Sequence, residues 1–323
     1  MATVPSGFSE VLKQHLASWR ERDERFKTDG VHSWVLHHSA AALNYFGAEE
    51  WHALVAGKLH RWGHALNSSQ AFAVNLFAPA RFSGDVAHAL WTKMPAGASH
   101  PDPQCVNVHF EYSGPDDGFA KQALGETGVA TQIDVAVEAS CADKSRHFQF
   151  IEVKLGESRF GACRGARTGK KRVNPTPERC QDLTQVRKDP GSQCWLANSE
   201  RRRYWELIEG QSGLAVLADD AGGCPWRGGL YQLMRNWALA RALVEHGIAA
   251  SVELAVCVHP GNHEARRLDR AVSGTNDVVH AFNSMTDATR VSELDPRALL
   301  AVQDVSGAPS GWRTYMKGRY LLS

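Results

Sequence analysis

The chain predicts an α/β fold whose core runs helix, strand, strand, strand, helix, strand. Three observations carry that prediction. Residues 131–157, TQIDVAVEASCADKSRHFQFIEVKLGE, read as two runs rich in β-branched and aromatic residues, QIDVAVEA and HFQFIEVKL, joined by a polar turn. VNVHFEY (106–112) before them and SVELAVCVH (251–259) after them alternate with the period of two that a strand requires. LYQLMRNWALARALVEH (230–246) places Leu230, Leu233, Met234 and Trp237 along one helical stripe, and Gly247 is suited to end it.

The remaining elements follow in order. Phe8 to Arg25 reads as an amphipathic helix ending in a solvated mixed-charge run, RERDER. A second helix is expected over about 49–66, with His60 and His64 one turn apart; ordinary surface histidines account for them better than a metal pair lacking a third ligand. NSSQAFAVNLFAPARF is an apolar helix capped by Ser68 or Ser69 and closed by Pro79. Gln70 and Asn75 inside it need partners, either in the core or at a site. Asp85–Met94 and Phe119–Leu124 read as short helices, and GPDDG as a turn. The layout is an N-terminal helical region (1–66), a core (67–260) interrupted by an insertion (158–228), and a C-terminal extension (261–323) of mixed helix and turn.

Composition sets limits. The chain has 323 residues, 43% hydrophobic and 22% charged, enough for a sizeable core. The net charge of +1 neither favours nor excludes nucleic acid, so a basic footprint must be local. One exists: residues 158–203 hold twelve Lys and Arg against four Asp and Glu, among them Arg164, Arg167, Lys170 and Lys171, and such a patch suits phosphate as well as it suits a solvated insertion. No apolar run approaches a membrane span, and MATVPSGFSE has no signal-peptide pattern, so a cytoplasmic location without membrane attachment is expected. Seven cysteines do not form a secreted disulfide framework.

The chemistry concentrates at the paired strands. In the second of them Phe148, Phe150, Glu152 and Lys154 share a face, so a carboxylate and an ammonium end a row otherwise built for burial. Burying charge costs several kcal/mol, on the order of that for each ion, unless it is paired or holds a metal. Asp134, on the face opposite to Ile133, Val135 and Val137, can reach the same place. Phosphodiester hydrolysis needs phosphate charge neutralised and a water activated, and a hard cation such as Mg²⁺ or Mn²⁺ supplies both. Asp134 and Glu152 would hold it, with the Val153 carbonyl as a third ligand. Lys154 would orient water and stabilise charge, because the adjacent carboxylates oppose the pKa fall a base would need.

With Asp134 on the second strand and Glu152-Val153-Lys154 on the third, the chain resembles the PD-(D/E)xK nuclease superfamily, although the usual proline before the aspartate is absent. It also resembles a group of bacterial restriction-endonuclease-like proteins in its Ser68-Ser69-Gln70 helix with Phe72 and Asn75, its Phe160-Gly161-Ala162-Cys163 stretch and its Tyr231–Asn236 segment. The resemblance implies a restriction-endonuclease-like αβββαβ core with a mixed central sheet and a metal-dependent deoxyribonuclease acting on DNA in restriction or DNA processing; a homodimer is compatible with it. Gln232 resembles the glutamine that RecB-type nucleases carry after the third strand. Arg235 and Asn236 would contact the nucleic acid. Gln70 would face the site where relatives often place an acid, and Glu111 on the first strand would supply that acid. Cys163, Cys180, Cys194 and Cys224, all within the insertion, would ligate Zn²⁺ or an iron–sulfur cluster if they act together; the alternative is four separate thiols. The competing reading is a nucleic-acid-binding protein of the same fold that has lost cleavage.

Overall fold

In the computed structural model the described residues are 7–100, 102–168, 173–209, 223–272, 274–286 and 290–323. The predicted strands form as β1 (Cys105–Tyr112), β2 (Ile133–Ser140), β3 (Arg146–Lys154) and β4 (Ser251–Val258). The C-terminal extension adds a hairpin, β5 (Arg267–Val272) with β6 (Thr275–Asp277), and a short β7 (Val291–Glu293). The main sheet has the order β1-β2-β3-β4-β7. β1, β2 and β3 pair antiparallel, whereas β3–β4 and β4–β7 are parallel, so the sheet is mixed.

Two helices cover its faces. The Ser69–Phe82 helix is buried from Ser69 through Ala80, which explains its nearly uninterrupted apolar sequence. It packs with Val135, Val137, Ile151 and Val153 of the sheet. The Tyr231–Glu245 helix packs on the opposite face with Phe148, Phe150, Leu254 and Val256. Each fully buried Leu, Val or Phe side chain contributes about 1.5–3 kcal/mol. Ile133 leaves the row expected for it and joins Tyr112 in the second cluster.

Three expectations are corrected. Pro79 does not close the buried helix, which continues to Phe82. Proline removes the amide that would bond the Asn75 carbonyl, but the Trp312 indole donates to that carbonyl at 2.6 Å instead. The helix expected over 49–66 stops at Ala53 and is followed by a 3-10 turn, Ala56–Lys58. The Asn44 side-chain amide donates to the Gly63 and Ala65 carbonyls at 2.8 and 2.9 Å, and Val35 bridges to Ala65, so tertiary bonds replace helical ones. The first helix ends at Arg20, five residues earlier than its charge pattern suggested.

One hydrophobic cluster runs from Leu12 through the sheet to Leu322. Buried Arg319 fastens its two ends, donating to the Asn44 carbonyl at 2.8 Å and lying over the Trp19 ring at 5.0 Å. N- and C-terminal segments therefore share a core with the sheet.

Candidate active site

Strand register assembles the site. The β1–β2 pairs Phe110↔Val135 and Tyr112↔Ile133 bracket Glu111 and set it opposite Asp134. The β2–β3 pair Val135↔Ile151 sets Asp134 next to Glu152. Three carboxylates thus stand in a row across three adjacent strands. Lys154, two residues beyond Glu152, donates to Glu152 Oε1 at 2.6 Å. Glu152 Oε2 accepts from Asn236 Nδ2 of the Tyr231–Glu245 helix at 2.8 Å. The Val153 amide donates to Asp134 Oδ2 at 2.7 Å.

Glu111 is held in an unusual backbone conformation, φ 49°, a left-handed geometry uncommon for a non-glycine residue. Its Oε1 accepts from Gln70 Nε2 at 2.7 Å. Its Oε2 is buried without a hydrogen-bond partner of good geometry and lies 3.3 Å from His60 Nε2. Gln70 is saturated as well: its amide also donates to the Lys58 carbonyl, and its oxygen accepts from the His60 amide. The helix residue thus clamps Glu111 and the 58–60 segment.

Beside this arrangement opens a cleft of about 800 Å³. Asp134, Val153, Lys154, Gln70, Gln232, Arg235 and Arg167 all line it, brought together from stretches far apart in the chain.

The electrostatics are lopsided. Burial and the neighbouring Glu152 push the Asp134 carboxyl well above its ordinary range, and Lys154 only partly offsets them. Burial works against the Lys154 charge, but Glu152, Asp134 and Glu157 outweigh it and raise the ammonium above its usual value. Lys154 therefore stays charged at neutral pH. The His60 imidazole is also raised, chiefly by its approach to Glu111.

Several expected residues take other positions. Asn236, read as a nucleic-acid contact, is buried and orients Glu152 instead. Arg164 is paired with Glu200 and lies over the Trp195 ring, away from the cleft. Arg235 borders the cleft while its Nε donates to Thr131 Oγ1 at 3.0 Å. Lys170 and Lys171 lie outside the described residues. Asn75 is a satisfied core amide, bonded to the Asn44 carbonyl and the Tyr320 hydroxyl. His60 faces Glu111, whereas His64 lies against His38 at 4.4 Å, so the two histidines do not act as a pair.

The structure adds Glu157 and Ser69. The Ser69 hydroxyl donates to Glu157 and accepts from the Leu155 amide, tying the start of the buried helix to the end of β3. The Ser-Ser pair was legible only as a cap; Ser68 does cap, accepting from the Ala71 amide, and the second serine needed the fold to be read.

Hard carboxylate oxygens suit a divalent cation, and both the Glu111 Oε2, which lies 3.3 Å from the His60 imidazole, and the raised Asp134 carboxyl fit such a group. Two of roughly four acceptor sites on Glu152 are used by Lys154 and Asn236, which leaves ligating capacity. Among the described residues, no group of three or more His, Cys, Asp or Glu side chains is already arranged around a metal position. This includes Cys163, Cys180, Cys194 and Cys224, which are unbonded thiols buried in one hydrophobic cluster. The Cys224 amide donates to the Cys180 carbonyl at 2.7 Å, and burial pushes the Cys163 thiol up to about 12. No helix among the described residues is long and apolar enough to cross a membrane.

Comparison with known proteins found no match among curated proteins and none among solved structures. A family model does match, over residues 14–321, nearly the whole chain. With the αβββαβ core and the carboxylate row in place, that match identifies the chain as a member of the family described as restriction endonuclease associating with ARP.

Proposed function

We propose that this protein is a metal-dependent nuclease that hydrolyses DNA phosphodiester bonds. The observation that carries the reading is the row Glu111–Asp134–Glu152 with Lys154 beside it at the cleft. Family membership supports nuclease chemistry and makes DNA the substrate to test first.

Asp134, Glu152 and the Val153 carbonyl would hold Mg²⁺ or Mn²⁺, with Glu111 as a further donor. The bound cation supplies charge neutralisation and an activated water. Lys154 keeps its proton and places a positive charge where the scissile phosphate gains negative charge. Asn236 fixes the Glu152 carboxylate, as outer hydrogen bonds commonly fix a ligand. Gln70 fixes Glu111. Gln232, Arg235 and Arg167 line the wall against which the phosphate backbone would lie. The cysteine set is a separate proposal: Cys163, Cys180, Cys194 and Cys224 would together hold Zn²⁺ or an iron–sulfur cluster, and metal analysis of anaerobically purified protein tests it.

The main test is cleavage of plasmid and single-stranded DNA with and without Mg²⁺ or Mn²⁺. The expected result is metal-dependent cleavage that disappears in Asp134→Ala and Lys154→Ala. Salt-sensitive DNA binding without cleavage would favour a binding protein of the same fold.

A further inference from the structure

A second concavity opens beside the cleft. It has a volume of about 580 Å³ and shares His60, Ser69, Gln70, Gly156 and Glu157 with the cleft, so the two adjoin along a common wall. Its chemistry differs. Where the cleft is lined by carboxylates, amides and arginines, the annex presents Trp34, Trp62 and His32 together with Lys13 and Arg61.

The aromatic groups are ordered with respect to one another. His32 stacks on Trp34 with ring centroids 5.0 Å apart and planes 26° apart. Trp62 stacks on His64 at 6.2 Å and 30°. Lys13 Nζ lies 5.1 Å above the Trp34 ring, and the Arg61 guanidinium 5.3 Å above the Trp62 ring. The backbone supports this arrangement. Leu66 donates to the Trp34 carbonyl at 2.9 Å and Leu36 to the His64 carbonyl at 3.2 Å, so Trp34 stands on a paired segment, and Trp62 lies in the turn that leads into its partner. Yet Trp62 is 53% exposed. A large aromatic surface left in water forgoes burial that the chain achieves for most of its other tryptophans.

We propose that this annex is a stacking pocket for an unpaired nucleobase, which receives a base from the strand whose phosphate lies in the adjoining cleft. The inference rests on the nuclease reading and names the form of its substrate: DNA with at least one unpaired nucleotide, either single-stranded or extruded from a duplex. Flat π-faces bind any base, and flanking cations take the neighbouring phosphates. A fully paired duplex offers no free face to Trp34 and Trp62. The Glu157 carboxylate on the shared wall is tied to the end of β3 by bonds from Ser69 and the Leu155 and Gly156 amides.

The test uses the full chain carrying Asp134→Asn to stop cleavage, with fluorescence anisotropy of three labelled DNAs: a single strand, its perfect duplex, and that duplex with one unpaired base. Trp62→Ala and Trp34→Ala are each expected to weaken binding of the single strand about tenfold, with duplex affinity unchanged and Trp62→Phe restoring most of the loss. An equal loss on the duplex with one unpaired base assigns an extruded base; a loss on the single strand alone assigns single-stranded substrate. Unchanged single-strand affinity in both alanine variants overturns the stacking pocket even where the parent cleaves DNA. A parent that neither binds nor cleaves any of the three overturns the nuclease reading and the pocket with it.

Discussion

Asp134 and Glu138 lie on the same strand, four residues apart and on one face, and their surroundings are opposite. Glu138 has Arg146 Nε at 2.6 Å and His109 Nε2 at 2.9 Å. Burial works against its charge, but those two partners overcome it and hold the carboxyl down at about 2. Asp134 has Glu152 and Glu111 as strand neighbours and one backbone amide as its hydrogen-bond donor, and it is pushed up. At Glu138 the chain supplies its own cations. At Asp134 it gathers anions; Lys154 is bonded to Glu152, and the His60 imidazole lies against Glu111. This contrast is what supports the proposal of a cation site at Asp134 rather than at Glu138.

The largest effects are expected in catalysis. Asp134→Ala or Lys154→Ala should lower cleavage rates about 100-fold or more, whereas Glu138→Gln should leave them within about twofold. A comparable loss in Glu138→Gln would erase the contrast between the two ends of the strand. Asn236→Ala should cost about 10–100-fold in activity or metal affinity, since it frees Glu152 to reorient without removing a ligand. Full activity in that variant would show that Lys154 alone positions Glu152.

Stability should respond in the opposite sense. Asp134→Asn keeps an oxygen for the Val153 amide and removes one of three crowded charges. In metal-free buffer at neutral pH it should stabilise the protein by about 0.5–2 kcal/mol, read as a raised Tm, while abolishing cleavage. Glu138→Gln should destabilise by about 1 kcal/mol, because it breaks two partly solvated pairs. A lowered Tm in Asp134→Asn would mean that the carboxylate row is already neutralised within the chain.

The smallest effects concern pH. The folded Asp134 pKa is raised above 3.8, so the folded chain holds that proton more tightly than the unfolded one. Its contribution therefore becomes unfavourable as pH rises from 3.8 through the raised value, and metal binding should improve over the same interval. Glu138 is depressed from 4.5 to about 2, so its contribution is present above 4.5 and is lost as pH falls through about 2. Thermal melts of wild type, Asp134→Asn and Glu138→Gln between pH 3 and 8 would separate the two slopes.

The sheet and the two covering helices were legible because their signals are local. Alternation exposed β1 to β4, and the Leu230–Trp237 stripe exposed the distal helix. Asp134, Glu152 and Lys154 were legible as charges at the end of buried rows. What failed depended on distant partners. Nothing local reveals that Trp312 would take the Asn75 carbonyl freed by Pro79, or that Asn44 would unwind 60–65. Asn236 was misassigned because helical spacing shows which residues are polar but not which one meets Glu152. β7 is three residues long, too short to leave a periodic signal.

Asp134, Glu152 and Glu111 are proposed to form an anionic seat for a divalent cation. Titration of Mn²⁺ into wild type and Asp134→Asn, followed by the loss of the free-ion electron paramagnetic resonance signal, tests it most directly. Saturable binding is expected in wild type, lost or weakened at least about tenfold in Asp134→Asn. Equal Mn²⁺ binding by the two proteins, or none by either, would contradict it.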